Sequence, residues 1–405
     1  IYGIYLLYSN FNTLENNKAS KSENGIHLEF SSVNRLENNL ASFNFGGIRL
    51  TYADHNILIN NQIRHNTPRN VFLAGISLYT SYNNTLKNNV MVINTFNLLV
   101  SDLFDEVIDT SNTVDGKPVY YIKYANNQVF DSSTNAGTFY CIICNNVVIK
   151  DLTLNNNGFG LYLWKTNNSI VQNIIAANNS QDGIKLFESN FNSLSQIIAR
   201  NNSHLGVYFL KSFNNSISSS TVNTNSKWGI ALDRASYNLV NQNTANNNDA
   251  GIALFSSPSN ILANNTLNNN RFDGIYFEQS NENSITGNTL NINTRSGIFL
   301  SFSYSDILIK NKASNSPYGI YFEYSNGHNI SGNTFIANSF GAYLLNSVEN
   351  LVYNNFFNNS VNAFANDINA WNITKTLGRN IVGGDYLGGN FWHNYNGTDL
   401  DGDGL

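Results

Sequence analysis

Six histidines, two cysteines and one methionine are the residues of this 405-residue chain suited to a soft transition metal. His27, His55, His65, His204, His328 and His393 are scattered, and no short run gathers them. Cys141 and Cys144 form a C-x-x-C. Residues i and i+3 of a strand face opposite sides, so this pair reads as two buried structural cysteines. Copper is therefore not expected. Cleavage of a glycosidic bond needs two carboxylates ~5–9.5 Å apart. Asp102, Asp105, Glu106 and Asp109 crowd one irregular stretch and read as a solvated or loop-capping run, so no catalytic residue is assigned. Asp399, Asp401 and Asp403, followed by Gly404, match the opening of a D-x-D-x-D-G loop. Oxygens at positions one, three and five are calcium ligands, so a calcium site is expected there, its closing acid falling beyond Leu405. Sequons at Asn83, Asn167, Asn178, Asn201, Asn214, Asn264, Asn329, Asn358, Asn372 and Asn396 are glycosylation candidates. With 79 Asn, their number is about what chance supplies.

The composition limits what could position such groups. Only 12% of residues are charged, while 41% are hydrophobic and 13% aromatic, which excludes a disordered chain. A net charge of −5 leaves no basic footprint for nucleic acid. No apolar run reaches the ~18–20 residues of a membrane-spanning helix. Good helix formers are scarce, and Asn, Ser, Tyr, Phe and Ile dominate.

A repeat supplies the positioning element. The phrase Gly-Ile-x-Leu, or a close variant, begins at Gly3, Gly25, Gly47 and Gly75, and again at Gly160, Gly183, Gly206, Gly229, Gly251, Gly274, Gly297, Gly319 and Gly341. The step is 22 or 23 residues, except for 28 from Gly47 to Gly75, where Arg64 to Asn70 reads as an outward loop. Period-two alternation marks a strand, and Gly is expected to supply the turn into it. Asn recurs in two columns. Asn34, Asn56, Asn84, Asn260 and Asn283 stand in one, and Asn265, Asn288, Asn311, Asn333 and Asn355 in the other. Stacked coils would place these amides ~4.8 Å apart, each bonding the next as a ladder. A leucine-rich repeat shares the period, but the aliphatic it needs before Leu-x-Leu is replaced by Glu23, Gln181, His204, Lys227 and Asp249. The fold expected is all-β, a right-handed parallel β-helix of roughly 15–17 coils.

Regular coils are expected over 1–96 and 160–374, an irregular stretch with a protrusion over 97–159, and a Gly-rich tail over 375–405. Within the irregular stretch, Asp115-Gly116 signals a hairpin turn. The outward strand positions carry Tyr162, Trp164, Phe187, Tyr208, Phe255, Tyr276, Phe299, Tyr321 and Tyr343, a candidate binding or assembly face. Acids at the second of these outward positions never occupy successive coils, which counts against a carboxylate pair.

Three passages carry a family likeness: the GIxLxxS…N…NN coils, the inserted DTSNTVDGKPVYY, and WNITKTLGRNIVGGDYLGGNFWHNYNGTDLDGDGL. Through them the chain resembles the NosD-type right-handed β-helix proteins, particularly Asn-rich archaeal members that are displayed or secreted. The resemblance implies an extracellular or cell-surface β-helix. It leaves open copper-site maturation, carbohydrate binding or cleavage, and non-enzymatic surface roles. The missing acid pair favours a structural protein that self-associates into a filament or surface layer through its aromatic face and uncapped ends, since Ile1 to Leu6 enter a coil at once. The alternative is a carbohydrate-binding or carbohydrate-active β-helix.

Overall fold

A computed structural model describes residues 2–70, 72–101 and 105–397. The expected calcium ligands Asp399, Asp401 and Asp403 lie outside these residues. The chain forms two compact units, Ile1–Asn192 with Ile197–Gly206, and Ser193–Gln196 with Val207–Leu405. Both are built of parallel coils. Among the described residues there are about 16 turns of about 22 residues, the right-handed β-solenoid that the period predicts.

One coil of the second unit shows how the sequence folds. Strand Ser296–Ser301 buries Ile298 and Leu300, Ile307–Ile309 buries Leu308, and Lys312–Ser314 buries Ala313. Each strand ends at a residue with positive φ: Phe302 (50°), Lys310 (55°) and Asn315 (54°). The next coil repeats the pattern in register, Ile298 beside Ile320 and Leu300 beside Phe322. Like side chains therefore stack along the interior, and each fully buried aliphatic contributes ~1.5–3 kcal/mol. The repeat Gly is required for space, not for the turn expected of it. A Cβ on Gly297 would lie 2.6 Å from both the Ala313 Cβ and the Gly319 carbonyl oxygen.

The Asn columns form ladders as expected. The Asn34 backbone N–H and Nδ2 both donate to Asn56 Oδ1, at 2.8 and 3.1 Å. Asn56 repeats this on Asn84, while its Nδ2 also reaches the Ser31 carbonyl. In the second unit the series Asn260–Asn283 and Asn265–Asn288–Asn311–Asn333–Asn355 repeat the backbone N–H bond to the next Oδ1. A third ladder, absent from the expectation, precedes the repeat Gly: Asn44, Asn66 and Asn94 in the first unit, and Asn225, Asn248, Asn270 and Asn293 in the second.

The irregular stretch belongs to the first unit. Thr113–Val114 pairs antiparallel with Lys117–Lys123 across Asp115 (φ 48°) and Gly116 (φ 79°), the hairpin that Asp-Gly predicts. Parallel stacking then resumes, with Lys117–Lys123 against Thr138–Ile142. Cys141 and Cys144 are joined in a disulfide, which corrects the strand-geometry expectation. The strand ends at Ile142, and Ile143 (φ 54°) turns the chain so that Cys144 comes back to Cys141. In the second unit the tail returns to cover the last coils. Phe391 and Trp392 stack on Phe356 and Phe357, both at 4.6 Å, and Asn390 Oδ1 closes the ladder on Asn355. Among the described residues no helix is long and apolar enough to cross a membrane.

Asn333 Oδ1 accepts the Asn311 N–H and Nδ2–H bonds, and Asn333 Nδ2 donates to the Leu308 carbonyl and Asn355. Asn333→Ala strands a buried N–H and should cost roughly 2–4 kcal/mol in denaturant unfolding, with Asn333→Ser milder because its hydroxyl remains an acceptor. Asp306 occupies a ladder rung between Asn283 and His328, and burial pushes its carboxyl up to about 8. Its folded value exceeds the unfolded ~3.9, so the native state holds the extra proton and stability falls as pH rises from about 4 to about 8. Asp306→Asn should raise Tm by several degrees at pH 8 and scarcely at pH 4.

Candidate functional site

The corner that leads into the repeat strand carries a groove on the second unit. Strands Ala250–Phe255, Asp273–Glu278 and Ser296–Ser301 each start one residue before the repeat Gly, with Ala250, Asp273 and Ser296 in one row. The residues just before them, Asp249, Phe272 and Arg295, form the neighbouring row. Together with Trp228, Phe255, Tyr276 and Glu278 they line an open cavity of about 340 Å³.

Its charges are paired across coils. Asp273 is 1% exposed and accepts from Arg295 Nε at 2.9 Å, from Arg295 Nη2 and from Ser296 Oγ at 2.7 Å. Burial raises its carboxyl above the ordinary range, and the Arg295 bonds offset part of that rise. The Arg295 guanidinium also lies 4.1 Å from the Phe299 ring centre and 5.7 Å from that of Tyr276. Asp249, likewise raised by burial, meets Arg271 Nη2 at 2.5 Å. The Tyr276 hydroxyl donates to Glu278 Oε2 at 2.9 Å, and burial together with this bond pushes the phenol up. Glu278 is thus an exposed acceptor with no cation partner among the described residues.

The aromatic column runs from this groove. Phe255, Tyr276, Phe299, Tyr321 and Tyr343 follow on successive coils, with ring centres 4.9–5.5 Å apart. Near the groove the rings are tilted, Trp228 on Phe255 by 37° and Phe255 on Tyr276 by 43°. Two members of the expected outward face are covered. Phe299 is 5% exposed beneath Arg295, and Tyr162 is 3% exposed beneath Phe159 and Lys185. Tyr162, Trp164 and Phe187 belong to the first unit, where Trp164 and Phe187 are half-buried neighbours. Tyr208, in the second unit, donates to Asp233 Oδ2 at 2.9 Å.

Trp228, Asp249, Arg271, Phe272, Asp273 and Arg295 were not singled out by the strand pattern. Their signal is an acid just before the repeat Gly with a cation 22 residues later, as in Asp249/Arg271 and Asp273/Arg295. The first unit repeats it in Asp182/His204, where His204 Nδ1 lies 2.7 Å from Asp182 Oδ1. Of the sequon asparagines, Asn83, Asn178, Asn201, Asn214, Asn264, Asn372 and Asn396 are exposed, whereas Asn167, Asn329 and Asn358 are half-buried.

The sequence matches the family described as periplasmic copper-binding protein (NosD) over residues 1–116, 104–271 and 238–397. The chain belongs to the NosD family. No curated protein matches it. Among solved structures it is similar to the periplasmic alginate epimerase AlgG, at 15% identity over 74% of this chain and 76% of that one, with a TM-score of 0.44. It is also similar to the A-module of the Azotobacter vinelandii mannuronan C-5 epimerase AlgE6, at 11% identity, 89% of each chain and a TM-score of 0.36. A tailspike protein of E. coli bacteriophage HK620, in complex with a hexasaccharide, gives 11% identity, 86% and 67% coverage, and a TM-score of 0.44.

The NosD description implies copper, and the donors among the described residues do not fit it. Among the described residues no three His, Cys, Asp or Glu side chains converge as ligands. Met91 is buried in the core, and both cysteines are in the disulfide. His328 Nδ1 accepts the Asp306 N–H, His27 Nε2 meets Thr51, and His204 is held by Asp182.

The groove's charge pairing is testable by unfolding. Arg295→Ala leaves the Asp273 carboxyl buried without its partner. It should cost roughly 2–3 kcal/mol, held down by the partial exposure of Arg295. Adding Asp273→Asn to that variant should recover much of the loss.

Proposed function

We propose that this NosD protein binds a glycan in the groove of its second unit, outside the cytoplasm. The observation that carries the reading is the meeting of tilted aromatic rings with fixed polar groups. Trp228, Phe255, Phe272 and Tyr276 offer ring surface to the apolar face of a sugar, and Glu278, Arg271 and Arg295 offer acceptors and donors to its hydroxyls. The two Asp–Arg pairs hold those groups in place before a ligand arrives, which lowers the ordering cost of binding. Binding is favoured over cleavage because Asp249 and Asp273 are both engaged by guanidinium groups. The disulfide Cys141–Cys144 suits an oxidising compartment.

Self-assembly, the role suggested by the outward aromatics, has less support. Away from the groove those rings lean on one another: the ring centres of Tyr321 and Tyr343 are 5.2 Å apart, and Tyr343 lies within 18° of Phe364. Cross-strand pairing accounts for such contacts.

Trp228→Ala and Phe272→Ala should each weaken binding of a groove-specific oligosaccharide by about tenfold, as lost ring contacts do. Glycan-array screening followed by calorimetry measures this. A chain that retains no oligosaccharide on a broad array, or variants that bind like the parent, would overturn the reading.

A further inference from the structure

The 28-residue coil of the first unit builds a second cavity, of different chemistry. The chain keeps its ladder through Asn66, which donates to Asn94 Oδ1, and Thr67 N–H still bonds the Asn44 carbonyl. The extra residues then depart, turn where Asn70 Oδ1 accepts the Phe72 N–H, and return with Leu73 buried. The insertion carries Arg69 back over the preceding coil, its guanidinium carbon 3.7 Å from the Phe45 ring centre. Two adjoining depressions of about 340 and 350 Å³ result, sharing Lys21, Ser22 and Phe45.

The corner beneath them carries bulky side chains. In the second unit the equivalent left-handed positions hold Asn247, Asn269 and Asn315, for which positive φ is cheap, but also Thr224, Ile292 and Ala337. Here three successive coils place Lys21 (φ 58°), Phe43 (57°) and His65 (55°) there. A bulky residue at such a position costs ~1–2 kcal/mol. Phe43 is nevertheless 61% exposed, stacked on His65 at 4.9 Å and 2°. Left-handed non-glycine residues recur at the corners of both units, so it is the exposure of this stacked pair, not its backbone, that offers ring surface.

We propose that this cavity binds a carboxylate-bearing sugar ring of an acidic glycan. Lys21 and Arg69 have no carboxylate partner among the described residues, and the stacking of Arg69 on Phe45 fixes its guanidinium while leaving the N–H edge free for two-pronged contact with a carboxylate. Phe43, Phe45 and Leu73 supply the apolar surface, and Ser22, Thr67 and Asn70 supply partners for hydroxyls. Glu23, the acid of the lining, disfavours a ligand with several negative charges close together. The site belongs to the first unit, and the proposal does not depend on the function of the groove of the second.

Calorimetry on the full chain tests this with a galacturonate oligosaccharide, its methyl ester and inorganic phosphate. The free acid should bind, and Lys21→Ala, Arg69→Ala and Arg69→Lys should each weaken it by about tenfold or more. The control Tyr237→Ala, at an exposed ring of the other unit that lines neither cavity, should leave it unaltered. Equal binding of the methyl ester, full affinity in Arg69→Ala, or a loss that follows Tyr237→Ala instead would overturn the proposal. So would phosphate binding as tightly as the sugar acid, which would make this a free-anion site.

Discussion

The buried backbone N–H at each coil corner is the constraint on which the structure rests. A parallel coil turns three times in about 22 residues, and at a corner the strand ladder lapses. An N–H left unpaired there would cost ~1–3 kcal/mol. Asn meets the need in two directions. Its Oδ1 accepts the N–H of the coil before, and its Nδ2 reaches back to a carbonyl, as Asn288 does with Asn265 and Leu262. Repetition of this device along three corners accounts for the abundance of Asn, and it leaves the interior to aliphatic stacks.

Once ladders and stacks are set by the coil, chemistry is confined to outward positions and to departures from the period. Both cavities arise in this way. In the second unit, Asp249 and Asp273 take corner positions next to the repeat Gly and are neutralised by cations one coil on. In the first unit, an insertion between Asn66 and Gly75 lays Arg69 over Phe45. One groove pairs its Asp and Arg charges internally and offers rings, whereas the other holds cations with no carboxylate partner among the described residues. The same scaffold thus presents two surfaces suited to different ligands without any change to its core.

The period, two of the three ladders and the hairpin at Asp115-Gly116 were legible in the sequence because each depends on local residue type and spacing. Burial of the outward rings was not. Tyr162 and Phe299 point away from the core, and they are covered only because Lys185 and Arg295 on other coils fold over them. The disulfide was missed because the strand was assumed to continue through Ile143, whose left-handed backbone brings Cys144 round. The groove was missed for a related reason. Asp273 and Arg295 are 22 residues apart in different local contexts, and become a pair only when corners, not strand centres, are aligned. The role of the repeat Gly was also misread, since its constraint is the carbonyl of the next coil.

Departures within the ladders show which half of the Asn device is indispensable. Glu106 takes a rung with Oε2 accepting the Asn84 N–H at 2.7 Å, and Asp306 does so for Asn283 at the same distance. His328 accepts the Asp306 N–H through Nδ1 at 3.0 Å, and Ser316 Oγ accepts that of Asn293 at 3.1 Å. Each replacement keeps an acceptor for the preceding coil. The backward bond is what weakens: Asp306 Oδ2 is buried without a hydrogen-bond partner, and His328 reaches the Ser303 backbone without a well-formed bond at Nε2. The corner N–H must be met, whereas the carbonyl, with two lone pairs, tolerates the loss of one donor. Burial then keeps these rungs neutral, lifting the Glu106 and Asp306 carboxyls to about 8 and lowering His328 to about 3. The ladder therefore selects an acceptor first and an uncharged state second, and Asn is the side chain that satisfies both at every pH.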